Sequence, residues 1–252
     1  MPEFSTHLEL VKNLVFEVAE YFHQLENADH HKFDKNLARE IKADADKLLE
    51  NKILESLSSF DLPVLSEESG FISCHDFNKA YFIVDPLDGT FNFVRGIGIY
   101  GISIALWENA SPVFGVIYDL PNRKLFWGGP EYGAYCEETP INVSGIDVID
   151  RAVICTGFPV RMNIEDPERF NEFHRLIRNF AKVRMLGSAA MSLLMLSQGK
   201  VDYYAEDSIM LWDVGAGLAI LKGAGGNFSI KKCANDWEFD VRASNGFLAI
   251  GS

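Results

Sequence analysis

Tyr81-Phe82-Ile83-Val84-Asp85-Pro86-Leu87-Asp88-Gly89-Thr90-Phe91-Asn92-Phe93 is the stretch on which fold and chemistry both turn. Tyr81 to Val84 are aromatic or β-branched and predict a buried strand. Pro86 has no N–H to give a ladder, so pairing is expected to stop there, leaving Asp85 and Asp88 at the strand's carboxyl end. Two carboxylates three residues apart, with a rigid proline between them, can aim at one point only if a positive charge lies there. A hard divalent cation such as Mg²⁺ suits an all-oxygen set. Gly89 allows close backbone approach, and a helix opening at Thr90 would turn the Gly89 and Thr90 N–H groups into an anion cradle. Metal beside anion cradle points to phosphate. The competing reading, an Asp-Gly turn with a solvated acidic face, explains fewer of these positions.

Composition narrows the partners. The 252 residues carry 36 acidic and 23 basic side chains, for a net charge of −13, which argues against nucleic acid or an anionic membrane as partner. An anionic substrate would therefore need metal to offset the protein's own charge. A hydrophobic content of 48% is ample for a core, in one large domain or two sharing an interface. Cys74, Cys136, Cys155 and Cys233 are far apart, with no zinc-type spacing. They read as reduced, mostly buried thiols of a cytoplasmic protein. No apolar run approaches the ~20 residues of a membrane span, and no export signal is apparent.

Outward from the central loop, Thr6 and Glu9 have capping-box spacing ahead of Leu8, Val11, Leu14, Val15, Val18 and Phe22, which predict an amphipathic helix of about four turns. His30 and His31 read as a solvated connection. A second helix is expected from about Asp44 to Ser58, with Ile41, Ala45, Leu48, Leu49, Ile53 and Leu57 as its apolar face and Asp44 or Asp46 in its first turn, where the helix dipole favours a carboxylate. Pro63-Val64-Leu65 predicts a strand leading to Ser66-Glu67-Glu68-Ser69, and Gly70 to Lys79 a polar connection. Tyr100 to Leu106, Val113 to Tyr118 and Lys124 to Trp127 predict an antiparallel meander around the turn Asp119-Leu120-Pro121-Asn122, followed by a hairpin of Gly133 to Cys136 and Ile141 to Val143. A boundary near Ser144 to Asp150 divides the chain into residues 1–147, which carry most of the acidic loops, and residues 148–252. The second part predicts a strand Ala152 to Thr156, a helix from about Asp166 to Phe180, a short strand ending at Met185, a helix from Gly187-Ser188-Ala189 to Gln198, a strand Val201 to Ala205 and a helix Trp212 to Lys222. Alternating strands and helices imply layered packing.

Three motifs, Asp85-Pro-Leu-Asp-Gly-Thr90 with Asn92-Phe93, Glu67-Glu68-Ser69 upstream, and Trp212-Asp213-Val-Gly-Ala-Gly217 downstream, together resemble the inositol monophosphatase family of magnesium-dependent, lithium-sensitive phosphatases. The resemblance runs from about Lys35 to the last strand. It implies a layered α-β-α-β-α sandwich of the α/β (α+β) class, a homodimer and a small phosphorylated polyol or sugar as substrate. It implies that Glu67, Asp85 and the Leu87 carbonyl hold one Mg²⁺, that Asp85, Asp88 and Asp213 hold a second, and that Glu67 serves a weaker third. Asp46, four residues before Glu50, has the spacing of the residue that orients the attacking water together with Thr90. Glu68 takes a supporting role, and Lys35 either approaches the metal loop or is a surface lysine. Gly187-Ser188-Ala189, Asp88 and Glu206 match the family's hydroxyl-binding positions, although by itself Glu206 reads as a solvated acid. The chain departs from the family at Ala43 and Ala45, at Ser66 and at Gly215, where threonines, a glycine and an alanine are usual.

The implied reaction is direct hydrolysis of a phosphomonoester, with the Gly89 and Thr90 amides on the phosphate oxygens and no phosphoenzyme. Inositol monophosphate or a similar polyol phosphate is one substrate class. Fructose 1,6-bisphosphate or a nucleotide 3'(2'),5'-bisphosphate is another, and would need cations such as Arg161, Arg169, Arg175 or Arg184. The Thr90-Phe91-Asn92-Phe93 run looks less like the nucleotide branch. A third reading keeps the fold as a regulatory binding module, against which the full ligand set argues.

Overall fold

The computed structural model describes residues 3–28, 38–72, 79–157 and 167–248. His30, His31, Lys35, Cys74, His75 and Arg161 lie outside them.

The chain folds as layers, α-β-α-β-α, as the resemblance implied. The outer layer is α1 (Ser5–Ala28) and α2 (Ala38–Leu57). The apolar stripe of α1, from Leu8 through Val11, Leu14, Val15, Val18 and Phe22, is buried throughout, which the helical period requires of a face laid on a sheet. With Leu49, Ile53 and Leu57 of α2 it shares one buried cluster with Phe82, Val84, Ile102, Ile104, Leu106, Phe114 and Val116 of the first sheet.

Among the described residues that sheet has eight strands in the order β2-β1-β3-β4-β5-β6-β7-β8. They are β1 (Val64–Ser66), β2 (Gly70–Ile72), β3 (Tyr81–Asp88), β4 (Gly101–Glu108), β5 (Ser111–Asp119), β6 (Lys124–Gly129), β7 (Gly133–Cys136) and β8 (Thr139–Pro140). β1 runs parallel to β3, and the other neighbours are antiparallel, so the meander is as expected. Both faces are covered. On β4, Ile102, Ile104 and Leu106 turn to the outer helices, while Ala105 and Trp107 turn to the middle layer.

α5 (Ala189–Ser197) and α6 (Leu211–Gly223) form that middle layer, which explains why both are apolar nearly all round. Trp107 Nε1 donates to the Gly215 carbonyl at 3.1 Å, and Ile83 lies against the same glycine. One buried cluster thus includes Leu65, Ile83 and Trp107 from the first part of the chain and Leu193, Val214, Ala216 and Val241 from the second. Beyond it lies a sheet that among the described residues has five strands, β10-β9-β11-β13-β12. Its strands are β9 (Val153–Thr156), β10 (Lys182–Arg184), β11 (Tyr203–Met210), β12 (Asn227–Lys232) and β13 (Glu238–Ser244). α4 (Pro167–Ile177) closes the far side, where Leu176 and Ile177 pack beside Ile154, Tyr203 and Ala205.

Several sequence expectations are corrected. α2 begins at Ala38, so Asp44 and Asp46 lie near mid-helix, beyond reach of a dipole effect confined to the first turn. Leu48, expected on its apolar face, is 44% exposed, while Leu49, Ile53 and Leu57 are buried. β3 does not end at Pro86: the ladder skips Pro86 and Leu87 at an irregularity and resumes with Asp88 opposite Gly101. Gly70–Ile72 is strand β2, paired with β1, where a polar connection was expected. Ile141 to Val143 is not a strand, because after two paired residues in β8 the chain leaves the sheet and Val143 N–H donates to the Ala224 carbonyl. α4 stops at Ile177 and β11 extends to Met210. Of the three cysteines described, Cys155 is buried, whereas Cys136 and Cys233 are only partly so.

Candidate active site

Because β1 and β3 are parallel neighbours, the turn after β1 and the irregularity in β3 open at the same sheet edge. Glu67 stands in that turn, with its N–H on the Val84 carbonyl at 3.2 Å, and Asp85 follows Val84. Asp213 arrives from the first turn of α6, where its Oδ2 accepts the Met210 N–H at 3.2 Å. One carboxylate oxygen from each of Glu67, Asp85 and Asp213 lies within 4.8 Å of the other two.

Burial and crowding in this cluster raise the proton affinity of Asp85 and Asp213. Burial pushes Asp85 well above the usual carboxylate range, and the charges of Glu67, Asp88 and Asp213 push it further. Asp213 is raised for the same reasons, burial first, then Asp88, Glu67 and Glu206. Among the described residues, Oδ2 of Asp85 is buried without a hydrogen-bond donor, while Oδ1 accepts the Leu87 N–H at 3.0 Å. An all-oxygen cluster with a bare buried acceptor fits a hard divalent cation, whose charge would remove the repulsion. The cluster could hold a metal ion.

Asp88 stands slightly apart from this trio. Its Oδ2 receives the Ser188 hydroxyl and the Ala190 N–H, the latter at 3.1 Å, so it binds the amino end of α5. Burial raises its pKa to about 7, although those two hydrogen bonds pull the other way. Ser188 is itself the N-cap of α5, accepting the Met191 N–H at 3.2 Å.

Gly89 adopts φ +81°, and a Cβ there would sit 2.7 Å from the Ile99 carbonyl oxygen, so both conformation and space demand glycine. Thr90 opens the short helix α3 (Thr90–Arg95), and its Oγ1 donates to the Leu87 carbonyl at 2.9 Å. That bond fixes the threonine and the carbonyl expected at the metal relative to each other. Asn92, in the central motif but without an expected role, donates through Nδ2 to the carbonyls of Ile99 (2.9 Å), Leu186 (2.7 Å) and Gly187 (3.3 Å). It ties the aspartate loop to Gly187-Ser188-Ala189, ninety-odd residues away.

Asp46 is buried on α2, one turn before Glu50, which is also buried. Glu50 hydrogen-bonds Ser66 and Ser69 around Glu67, a link between distant segments that spacing could not show. Glu206 is not a solvated acid. Tyr204 donates its hydroxyl to Oε2 at 2.8 Å, and burial raises the carboxyl's pKa despite that bond. Asp207 beside it pairs with Arg242 at 2.5 Å, a cation absent from the four arginines named from sequence. Arg184 instead bonds the Val183 carbonyl, and Arg175 lies in the last turn of α4.

Residues 3–249 match the sequence profile of the "Inositol monophosphatase family". Among relatives, the chain is 34% identical over 203 residues to an inositol-1-monophosphatase of Synechocystis, covering 80% of this chain and 70% of that one. It is 34% identical over 183 residues to a protein of Pasteurella multocida named Nus factor SuhB, covering 72% and 68%. It is 33% identical over 187 residues to a fructose-1,6-bisphosphatase/inositol-1-monophosphatase of Aquifex aeolicus, covering 73% and 70%. The inositol monophosphatase structure from Anabaena superposes with a TM-score of 0.82 at 29% identity, over 97% of this chain and 92% of that one. A profile match over nearly the whole length, three relatives above 30% identity and the shared fold give one conclusion: the chain belongs to the inositol monophosphatase family, a family of metal-dependent phosphatases.

Proposed function

We propose that this protein is a Mg²⁺-dependent phosphomonoesterase acting on inositol monophosphate or a similar polyol or sugar phosphate. The observation that carries the reading is the convergence of Glu67, Asp85 and Asp213 at one sheet edge, with Glu206 held by Tyr204 in the same electrostatic neighbourhood.

In this reading Glu67, Asp85, Asp88, Asp213 and the Leu87 carbonyl hold two or three Mg²⁺ ions. Bound Mg²⁺ supplies Lewis acidity and the countercharge that a phosphate dianion needs inside an acidic protein. Asp46 and Thr90 orient the attacking water, and the Gly89 and Thr90 N–H groups, which have no carbonyl one turn earlier within α3, face the phosphate oxygens. The water oxygen forms a bond to phosphorus, the bond to the ester oxygen breaks, and one of the water's two protons ends on the departing oxygen, which leaves as the alcohol while the other stays with the phosphate. Gly187, Ser188, Ala189, Asp88 and Glu206 receive the polyol hydroxyls. Lithium inhibition, a homodimer and a cytoplasmic setting belong to the same proposal.

A bisphosphate substrate is the second reading, favoured by the dual name of the Aquifex relative and by Arg242 beside Glu206. Arg242 is already paired with Asp207, which favours the monophosphate. Phosphate release from inositol 1-phosphate, fructose 1,6-bisphosphate, adenosine 3',5'-bisphosphate and histidinol phosphate, at matched Mg²⁺, distinguishes them. A higher kcat/KM for inositol 1-phosphate is expected; preference for either bisphosphate would replace the first reading with the second.

A further inference from the structure

α2 buries two carboxylates on one face, Asp46 and Glu50, and among the described residues the hydrogen bonds of Glu50 all go to a single turn. Its Oε1 accepts the Ser66 hydroxyl at 2.5 Å and the Ser69 N–H at 3.0 Å, and its Oε2 accepts the Ser69 hydroxyl at 2.9 Å. Ser66 ends β1, and Ser69 precedes β2, so one carboxylate grips both ends of the turn Ser66-Glu67-Glu68-Ser69. Glu67 sits between the two grips. Among the described residues no ion pair involves Glu50, although it is only 4% exposed. Burying a carboxylate costs several kcal/mol unless donors replace its water, and here all three donors come from the turn that carries Glu67. Leu49, Ile53 and Leu57 on the same helix show that an apolar side chain suffices where packing alone is needed.

We infer that Glu50 is a positioning residue for Glu67: by holding Ser66 and Ser69 it fixes the Glu67 carboxylate against Asp85 and Asp213, and so sets the metal affinity of the cluster. The inference rests on the reading of Glu67 as a metal ligand. Groups that orient ligands from behind typically change affinity by about ten- to a hundredfold when altered.

The test is Mn²⁺ binding to the metal-free full chain by calorimetry, with thermal melts alongside, for wild type, Glu50→Gln, Ser69→Ala and Glu67→Gln. Glutamine keeps the shape of Glu50 but has one acceptor oxygen for three donors. In Glu50→Gln the Mn²⁺ Kd should rise about ten- to a hundredfold. The Mg²⁺ concentration for half-maximal phosphate release should rise by a similar factor, more than kcat at saturating metal falls. Ser69→Ala should move both in the same direction by less. A Glu50→Gln protein that melts lower but binds Mn²⁺ within about twofold of wild type overturns the inference and leaves Glu50 a purely structural group. If Glu67→Gln leaves Mn²⁺ affinity unchanged, the ligand reading of Glu67 fails and takes the inference with it. Should Glu50→Gln not fold, a Ser66→Ala/Ser69→Ala double variant decides by the same Kd criterion.

Discussion

Ser188 gives its hydroxyl to Asp88 across one hundred residues of sequence, while its oxygen caps α5 through the Met191 N–H. The bond makes one residue serve both a helix end and the aspartate loop. Ser188→Ala should therefore cost about 1–2 kcal/mol through the lost cap and leave Asp88 with one donor fewer. Chemical denaturation measures the first effect, and no loss of stability would show that the cap is idle. Asp88→Asn should fold and yet lose at least about a hundredfold in kcat, because a charge is removed from a site proposed to hold two metals. Near wild-type turnover would remove Asp88 from the machinery.

The raised carboxylates predict a specific coupling of pH to metal. Asp88 has a folded-state pKa of about 7, above its unfolded value, so the metal-free folded chain holds more protons than the unfolded chain between about pH 4 and 7. Its contribution is thus favourable at low pH and is lost as pH rises through about 7; the raised Asp85 and Asp213 act in the same direction. A cation displaces those protons and removes the repulsion. The rise in Tm on adding saturating Mg²⁺ should be several degrees larger at pH 8 than at pH 5. An increment that is constant or larger at pH 5 would contradict the electrostatic account of the cluster.

Glu206 offers a test of specificity. A half-buried carboxylate held by Tyr204 should accept polyol hydroxyls and repel a second phosphate: two unit charges about 6 Å apart at an effective dielectric near 20 interact by roughly 3 kcal/mol. Glu206→Gln should therefore narrow the preference for inositol 1-phosphate over fructose 1,6-bisphosphate by about tenfold or more, as should Tyr204→Phe to a smaller degree. A Cβ on Gly157 would overlap the Glu206 carboxylate at 1.9 Å, so Gly157→Ala should displace it and mimic the substitution. The kcat/KM ratio for the two substrates is the measurement, and a ratio unmoved by all three changes would reject the role.

What the sequence made legible is chemistry carried by short strings. Asp85 to Thr90 and Trp212-Asp213 each hold their functional groups within a few residues, and the turn, strand end and helix start that present them have local signals. What stayed hidden depends on neighbours far along the chain. Glu50 finds Ser66 and Ser69 only because α2 packs across β1 and β3, and Asn92 finds Leu186 only because α5 enters the middle layer. Leu48 fits a helical stripe as well as Leu49 does, and only the layer beneath the helix chooses between them. Pro86 is a sound reason to end a strand, but a ladder that skips two residues lets Asp88 rejoin it. Arg242 pairs with Asp207 through neighbouring strands β11 and β13, a register that no motif announces.

The gathering of Glu67, Asp85 and Asp213 into one metal-holding, phosphate-cleaving site is the central claim, and phosphate release from inositol 1-phosphate in chelator, before and after Mg²⁺ is restored, tests it most directly. The wild type should release no phosphate in excess chelator and recover with Mg²⁺, whereas Asp213→Asn should stay at least about a hundredfold below the recovered rate while retaining the wild-type fold. Full turnover in chelator, or recovery of Asp213→Asn to the wild-type rate, would contradict it.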